Sequence, residues 1–438
     1  MSASTEALEP LVIKRPGTKK REVDANRTWT DRTFSILEPG CVRGSIFTLC
    51  SSTIGAGVLS LPYAVWDCGL LLGFLLLILG GLVFGLYYMV LIISSERTRI
   101  YSYVGLMESL YGSCWKHFTE VSVIIYSFGL LTAVQAILAE FSMQLFFHLQ
   151  MVDDTADVHT RMLILLLANA LLLLPACLKP ELASLRYLSL ISVGSIGFLA
   201  LVIFLQAPFY ISQNKTFWED IKWVEVGLPV VDTAALIFFA YDATINVPII
   251  YTELQRRSHN RIRKVVVRSM TLLIVFFSMV GVFGYLSYVK NTPELVVGRE
   301  ALPGWEGRDY AMYVAVAFVT LAVVVEVPTT MNPLRLSIQQ LAGGTTFVYQ
   351  PTIYYGATVL LLFMSAGLAI LIPSVIFYFK VLGGIFSVFN GFVFPSKHHI
   401  AMIYWKTNTK VWKSTLLTLL TLVLAAFGFC CVGLMITK

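Results

Sequence analysis

The chain has 438 residues, of which 57% are hydrophobic and 13% charged, and a formal net charge of +6. A water-soluble fold of this size leaves too much surface wet to hide so large an apolar share. The basic surplus is spread over connecting segments, which excludes a nucleic-acid patch. The apolar residues come in continuous runs of about 20 rather than in alternation, so they predict membrane-spanning helices and not a barrel.

In chain order, residues 1–42 are polar and mixed in charge with no apolar h-region. They predict a disordered cytoplasmic tail, long enough to dock a cytoplasmic regulator, and no cleaved signal peptide. Spans are predicted at 43–66, 70–94, 118–148, 162–178, 186–207, 229–254, 265–289, 309–333, 353–375, 379–396 and 414–436. Pro373 and Lys380 alone punctuate the long apolar stretch near 353–396. The fold class is thus all-α polytopic, with about eleven transmembrane helices.

Lysine and arginine set the orientation. With the N-terminus inside, twenty-four of them fall on the inner side, Arg335 included, and eight on the outer side, Lys380 included. An odd number of spans then puts the C-terminus outside or in a lumen. Asn214-Lys215-Thr216 is a glycosylation sequon in a predicted outer loop,.

The first span contains Ser51-Ser52-Thr53-Ile54-Gly55-Ala56-Gly57-Val58, followed by Pro62. Small residues there fit close helix packing. They equally fit an unwound segment whose freed N–H groups point at an anion such as a carboxylate. The sixth span reads Phe238-Phe239-Ala240-Tyr241-Asp242-Ala243-Thr244-Ile245-Asn246-Val247-Pro248, a polar interruption of an apolar run. Two interrupted spans five helices apart are the placement expected of two five-helix units repeated with inverted topology around a substrate.

Asp242 has three readings: attraction of a cationic amino acid, help in coordinating an ion, or bonding to the backbone freed at the break, the last ranked first. Glu140 reads as an interhelical hydrogen bond, and Glu253, beside Arg256 and Arg257, as an ion pair at a surface or gate. Most of the seven cysteines lie in apolar runs without CxxC spacing, which argues against zinc or redox work,.

At Ile54-Gly55-Ala56-Gly57-Val58-Leu59-Ser60-Leu61-Pro62-Tyr63, at Tyr251-Thr252-Glu253-Leu254, at Val327-Pro328 and at Pro333-Leu334-Arg335, the chain resembles the amino acid/auxin permease family. The likeness is greatest to its sodium-coupled neutral amino acid transporter branch and covers about residues 43–436. It implies a leucine-transporter-type fold, with spans 1–5 and 6–10 as inverted repeats, span 11 peripheral, and alternating access driven by an ion gradient. It further implies that Thr53, Ile54, Gly55, Ala56 and Gly57 cradle a substrate α-carboxylate. Carbonyls around Phe239, Ala240 and Tyr241 would accept the α-ammonium. Gln135 is a candidate for lining the side-chain pocket, with an interhelical hydrogen bond as its equal alternative. Small neutral amino acids come first as substrates and cationic ones second, because of Asp242. No organic cofactor is implied. The plasma membrane and a vacuolar or lysosomal membrane suit the composition equally.

Two departures bear on the coupling ion. Sodium-coupled members carry asparagine where this chain has Ser51, and threonine where it has Glu326. Desolvation disfavours the charged form of a mid-membrane carboxylate, so Glu326 can take a proton on one side and lose it on the other. At helical spacing Thr329 and Thr330 share its face, and their hydroxyls are expected to steady it. Proton coupling through Glu326 is therefore expected, with sodium coupling, Glu326 and Ser51 supplying oxygens, as the alternative, and a structural ion pair or polar interhelical bond as the remaining reading. The branch often joins the outer loops after spans five and seven by a disulfide. Segments 208–228 and 290–308 hold no cysteine.

Three rival classes remain. An enzyme lacks a GxSxG, HExxH or P-loop motif, and the six histidines do not pair at ligand spacing,. A channel lacks charge rings or a filter loop. A sensor that binds an amino acid and signals through residues 1–42 with little flux is the serious rival.

Overall fold

A computed structural model describes residues 40–148, 158–178, 185–255, 257–299, 309–343 and 351–390. The predicted N-terminal tail and eleventh span lie outside the described residues. Among the described residues seven helices are long and apolar enough to cross a membrane, and one further pair forms a bent span. Two shorter apolar helices, Leu228–Tyr241 and Val375–Ser387, fall within the predicted sixth and tenth spans.

The spans are numbered in chain order. Span 1 is Val42–Thr53 followed by Ala56–Cys68, bent by 55°. Span 2 is Leu70–Thr98, span 3 Ser113–His148, span 4 Val158–Leu178 with a π turn at Asn169–Leu173, and span 5 Leu185–Gln213. Span 6 is split into Leu228–Tyr241 and Val247–Glu253. Span 7 runs from His259 to Tyr288, again through a π turn, and span 8 is Tyr310–Gly343. Span 9 is Pro351–Leu371, and span 10 is Val375–Val381 continued by a π turn at Leu382–Ser387.

Span 2 shows how the sequence chooses its faces. Leu71, Leu75, Leu79, Leu82 and Leu86 recur at intervals of three and four and stay exposed, as a lipid-facing stripe should,. The opposite stripe, Leu77, Phe84, Tyr88 and Leu91, is buried and packs towards spans 6 and 7. The first half of span 1 lies against spans 5 and 7, and its second half against the first half of span 6. Span 8 rests on spans 3 and 5. The two breaks therefore sit inside the bundle, where protein alone can satisfy their backbone.

Two boundaries differ from the sequence reading. Span 9 ends at Leu371 and span 10 begins at Val375, so the turn between them falls at Pro373, earlier than the predicted 375–379, and Lys380 stands a full turn inside span 10 and not at its outer edge. The charge is tolerated there because Lys380 Nζ meets Asp232 Oδ2 of span 6 at 2.6 Å. Arg335 likewise belongs to span 8 and not to an inner loop, with 3% of its surface exposed. It donates to the Cys177 carbonyl (2.9 Å), to Thr358 (2.8 Å) and to Asn332, and lies 4.2 Å from the Tyr354 ring centroid. A guanidinium with that many partners pins spans 4, 8 and 9 together.

Asn214 follows span 5 in a turn closed by its own side chain, which accepts from the Thr216 amide at 3.1 Å.

Candidate functional site

The break in span 1 is confined to Ile54 and Gly55. Ile54 has φ −74° and ψ 77°, and Gly55 has φ −100° and ψ −160°. Neither angle demands glycine, so the reason for glycine is space. A Cβ on Gly55 would collide with the Glu326 carboxylate, and one on Gly57 would stand 3.0 Å from Ala240 Cα. Glycine thus lets a carboxylate of span 8 and the backbone of span 6 approach span 1 closely.

The amides of the expected carboxylate cradle are partly committed. Ile54 N–H donates to the Cys50 carbonyl at 2.6 Å and Gly55 N–H to the Thr53 carbonyl at 2.9 Å. Ala56 N–H is directed at the Glu326 carboxylate. The Thr53 hydroxyl turns back to the Leu49 carbonyl at 2.8 Å. Glu326, which is only partly covered, therefore brings its own carboxyl group to the start of the half-span that begins at Ala56.

The break in span 6 covers Asp242 to Asn246. Its anchor is Tyr88 of span 2, which is fully buried. The Tyr88 hydroxyl donates to the Tyr241 carbonyl (2.6 Å) and accepts from the Ala243 amide (2.6 Å). One phenol oxygen thus holds both ends of the span 6 break. Asp242 accepts from the Thr244 amide at 3.0 Å, which is the bond to freed backbone that ranked first among its readings.

Several expectations need correction. The Tyr241 carbonyl accepts from Tyr88, and the Phe239 carbonyl accepts from the Asp242 amide at 3.2 Å. Of the three carbonyls named for an ammonium, two are thus engaged within the break. The Thr329 hydroxyl donates to the Glu326 backbone carbonyl at 2.6 Å and not to its carboxylate, because a helical threonine reaches its own preceding turn more easily than a neighbouring side chain. Thr330 is buried on the same helix, and Ser51 sits partly covered in the first half of span 1.

Gln135 departs furthest from its lining role. It is fully buried, donates to the Leu362 carbonyl (2.9 Å) and Ser365 (2.6 Å), and accepts from Asn169 (2.9 Å). Its amide is spent tying spans 3, 4 and 9 together, which is the alternative reading of that residue. Gln135→Leu is therefore expected to cost about 1–3 kcal/mol by orphaning those partners, while leaving the ranking of ligands unchanged. A melting curve and a ligand panel on the same variant check both halves.

Glu140 accepts from Gln144 of its own helix (3.3 Å) and pairs with Arg161 of span 4 at 3.7 Å. Glu253 is exposed, while its neighbour Arg257 donates to the Thr252 carbonyl at 3.0 Å. At the Leu228 end of span 6, the Asp232–Lys380 pair lies beside Tyr63, whose ring centroid is 5.9 Å from Lys380 Nζ. At the other end Tyr251 donates to Glu96 at 2.8 Å, and His259 approaches the same carboxylate at 3.5 Å. Sequence reading missed Tyr88, Lys380–Asp232 and Tyr251–Glu96. Tyr88 and Tyr251 carry no pattern that sets them apart from core aromatics.

Comparison with known proteins gives a consistent picture. The family model described as "Transmembrane amino acid transporter protein" matches residues 38–438. The chain is 25% identical over 332 residues to the putative amino acid transporter AAT1 of Toxoplasma gondii, covering 76% of this chain and 45% of that one. It is 25% identical over 365 residues to the amino acid transporter AVT6E of Arabidopsis thaliana, covering 81% and 75%. The chain thus spans less than half the length of the parasite relative. Among solved structures, MhsT in complex with L-phenylalanine is similar with a TM-score of 0.62 at 13% identity, covering 89% of this chain and 98% of that one. A Na+-coupled sialic acid symporter in a substrate-bound outward-open state follows with 0.55 at 12% identity, covering 86% and 82%. These likenesses bear out the leucine-transporter-type fold.

Proposed function

Because the chain belongs to the transmembrane amino acid transporter family, we propose that it carries an amino acid across a bilayer by alternating access, coupled to a proton held by Glu326. The observation that carries this reading is the Glu326 carboxylate lodged against Gly55 and the Ala56 amide. A half-helix start with free N–H groups attracts an anion, and here a built-in anion competes with the substrate's own. Protonation of Glu326 removes that competitor. The α-carboxylate then takes the end of the half-span that begins at Ala56, and the α-ammonium turns to the Ala240 carbonyl. The head group is read largely by backbone, so small neutral amino acids are the first class to test and cationic ones the second.

Sodium coupling, with Glu326 as a direct ligand, is the second reading, favoured by the likeness to a Na+-coupled symporter. Counterflow in proteoliposomes against a panel of amino acids, repeated under proton and under sodium gradients, separates the two. Accumulation driven by a proton gradient alone supports the proposal, and accumulation that follows sodium alone supports the second reading. Saturable binding without flux would reject transport in favour of a sensor.

A further inference from the structure

We propose that the exposed basic face of span 7, at its His259 end, holds the headgroup of an anionic phospholipid. Span 7 begins at His259, so Arg261, Arg263, Lys264 and Arg268 stand on helix and not in a connecting loop. Arg263, Lys264 and Arg268 are exposed and Arg261 is half-buried. The sequence holds no Asp or Glu between Glu253 and Glu294. None of the four cations meets a carboxylate among the described residues. Glu96 of the neighbouring span 2 is already engaged by Tyr251 (2.8 Å) and His259 (3.5 Å).

This arrangement works against the helix that carries it. Cations in the first turns oppose the helix dipole, and Lys264 and Arg268, four residues apart, repel across one turn. Orientation by positive charge depends on the number of cations near a span and not on the face they occupy. Here the face is specific. Lys264 and Arg268 share it with Thr271 and Val275, at steps of four, three and four, and all four are exposed,. Beside them Val267 is 55% exposed. The opposite face, with Ile262, Val265, Val266, Ser269 and Leu273, is buried, and the Ser269 hydroxyl donates to the Ile46 carbonyl of span 1 at 3.3 Å. The cations are thus the polar end of a lipid-facing stripe.

Depth points the same way. Span 7 runs antiparallel to span 2, since a Cβ on Gly85 would stand 3.2 Å from Met270 and His259 lies beside Glu96. Between those contacts Arg268 stands about level with Leu86, which is itself lipid-facing, and about 13 Å along the helix from His259. A guanidinium there lays its stem on apolar surface and reaches back to the headgroup level. A phosphate at that level meets Lys264 and Arg268 together. Arg97, exposed in the last turn of span 2, adds a cation from the neighbouring helix. Free phosphate has no use for the apolar stripe, and a zwitterionic lipid brings its own cation to a surface with a surplus of them. An anionic phospholipid matches both halves.

The test is binding of phosphatidylglycerol with a fluorescent acyl chain to the purified full-length protein in uncharged detergent. Saturable binding is expected, displaced by unlabelled phosphatidylglycerol and phosphatidylserine but not by phosphatidylcholine or inorganic phosphate. Lys264→Gln and Arg268→Gln should each weaken it about fivefold. Lys215→Gln, which removes the same charge from an exposed position beyond the far end of span 5, should leave it unchanged. Both target side chains are exposed, and size-exclusion chromatography checks each fold, so either variant decides if the other is lost. Absence of saturable binding, equal displacement by phosphatidylcholine, or wild-type affinity in a folded Lys264→Gln or Arg268→Gln protein overturns the proposal. Displacement by inorganic phosphate assigns the patch to a free anion, and an equal loss in Lys215→Gln reduces the effect to net charge. Either result also overturns it. The readout involves no amino acid and no transport, so it can fail while the transport reading stands.

Discussion

Replacing Glu326 by glutamine is expected to abolish proton-driven accumulation of amino acid while sparing exchange of amino acid across the membrane. Glutamine keeps the shape beside Gly55 and the oxygen that faces the Ala56 amide, but it carries no proton through the cycle. The size of the effect follows from Coulomb's law. Two carboxylates about 4 Å apart repel by about 4 kcal/mol at an effective dielectric of about 20. That corresponds to about a thousandfold difference in substrate affinity between the ionised and protonated protein. The variant is fixed in the neutral state, so its substrate affinity should lose its dependence on pH, whereas wild-type affinity should fall as Glu326 ionises. Proteoliposome accumulation with and without a pH gradient, beside equilibrium binding at several pH values, reads both consequences. Unchanged proton-driven accumulation in the variant would remove Glu326 from coupling.

The same site shows what a sequence can and cannot declare. The breaks were legible because Gly55, Gly57, Asp242 and Pro248 interrupt apolar runs that have no other reason to stop. Glu326 was legible because a carboxylate in an apolar span is costly and therefore conspicuous. What the small residues and carbonyls do locally was not legible. The Ile54 and Gly55 amides are consumed by short backbone bonds, and the Tyr241 carbonyl by a phenol 153 residues away in sequence. Neither has a signature in composition or period. Gln135 stood equally for a lining residue and an interhelical bond, since a polar side chain in a span serves either, and Asn169, Leu362 and Ser365 show it to be the bond. Lys380 looked like the outer edge of a span for the related reason that its counter-charge, Asp232, lies 148 residues away. Charge in an apolar run marks either a boundary or a partner, and only the fold decides which.

Tyr88→Phe is expected to weaken substrate affinity by about ten- to a hundredfold with little change in ring packing. The ring is held among core aromatics, with Phe84 at 6.0 Å between centroids, and phenylalanine fills the same volume. What is lost is the oxygen that accepts from Ala243 and donates to Tyr241, both at 2.6 Å. Each buried group left without a partner costs about 1–3 kcal/mol, and both belong to the break that would present the Ala240 carbonyl. The connection should then close towards continuous helix or admit water, and either change moves the ammonium-binding end of the site. Tyr251→Phe is the matched control, since it deletes a similar bond, to Glu96 at 2.8 Å, at the far end of span 6. Its affinity should stay within about threefold of wild type. If Tyr88→Phe instead binds and transports like the control, the phenol is packing alone, and the geometry of the break must be held by its own backbone.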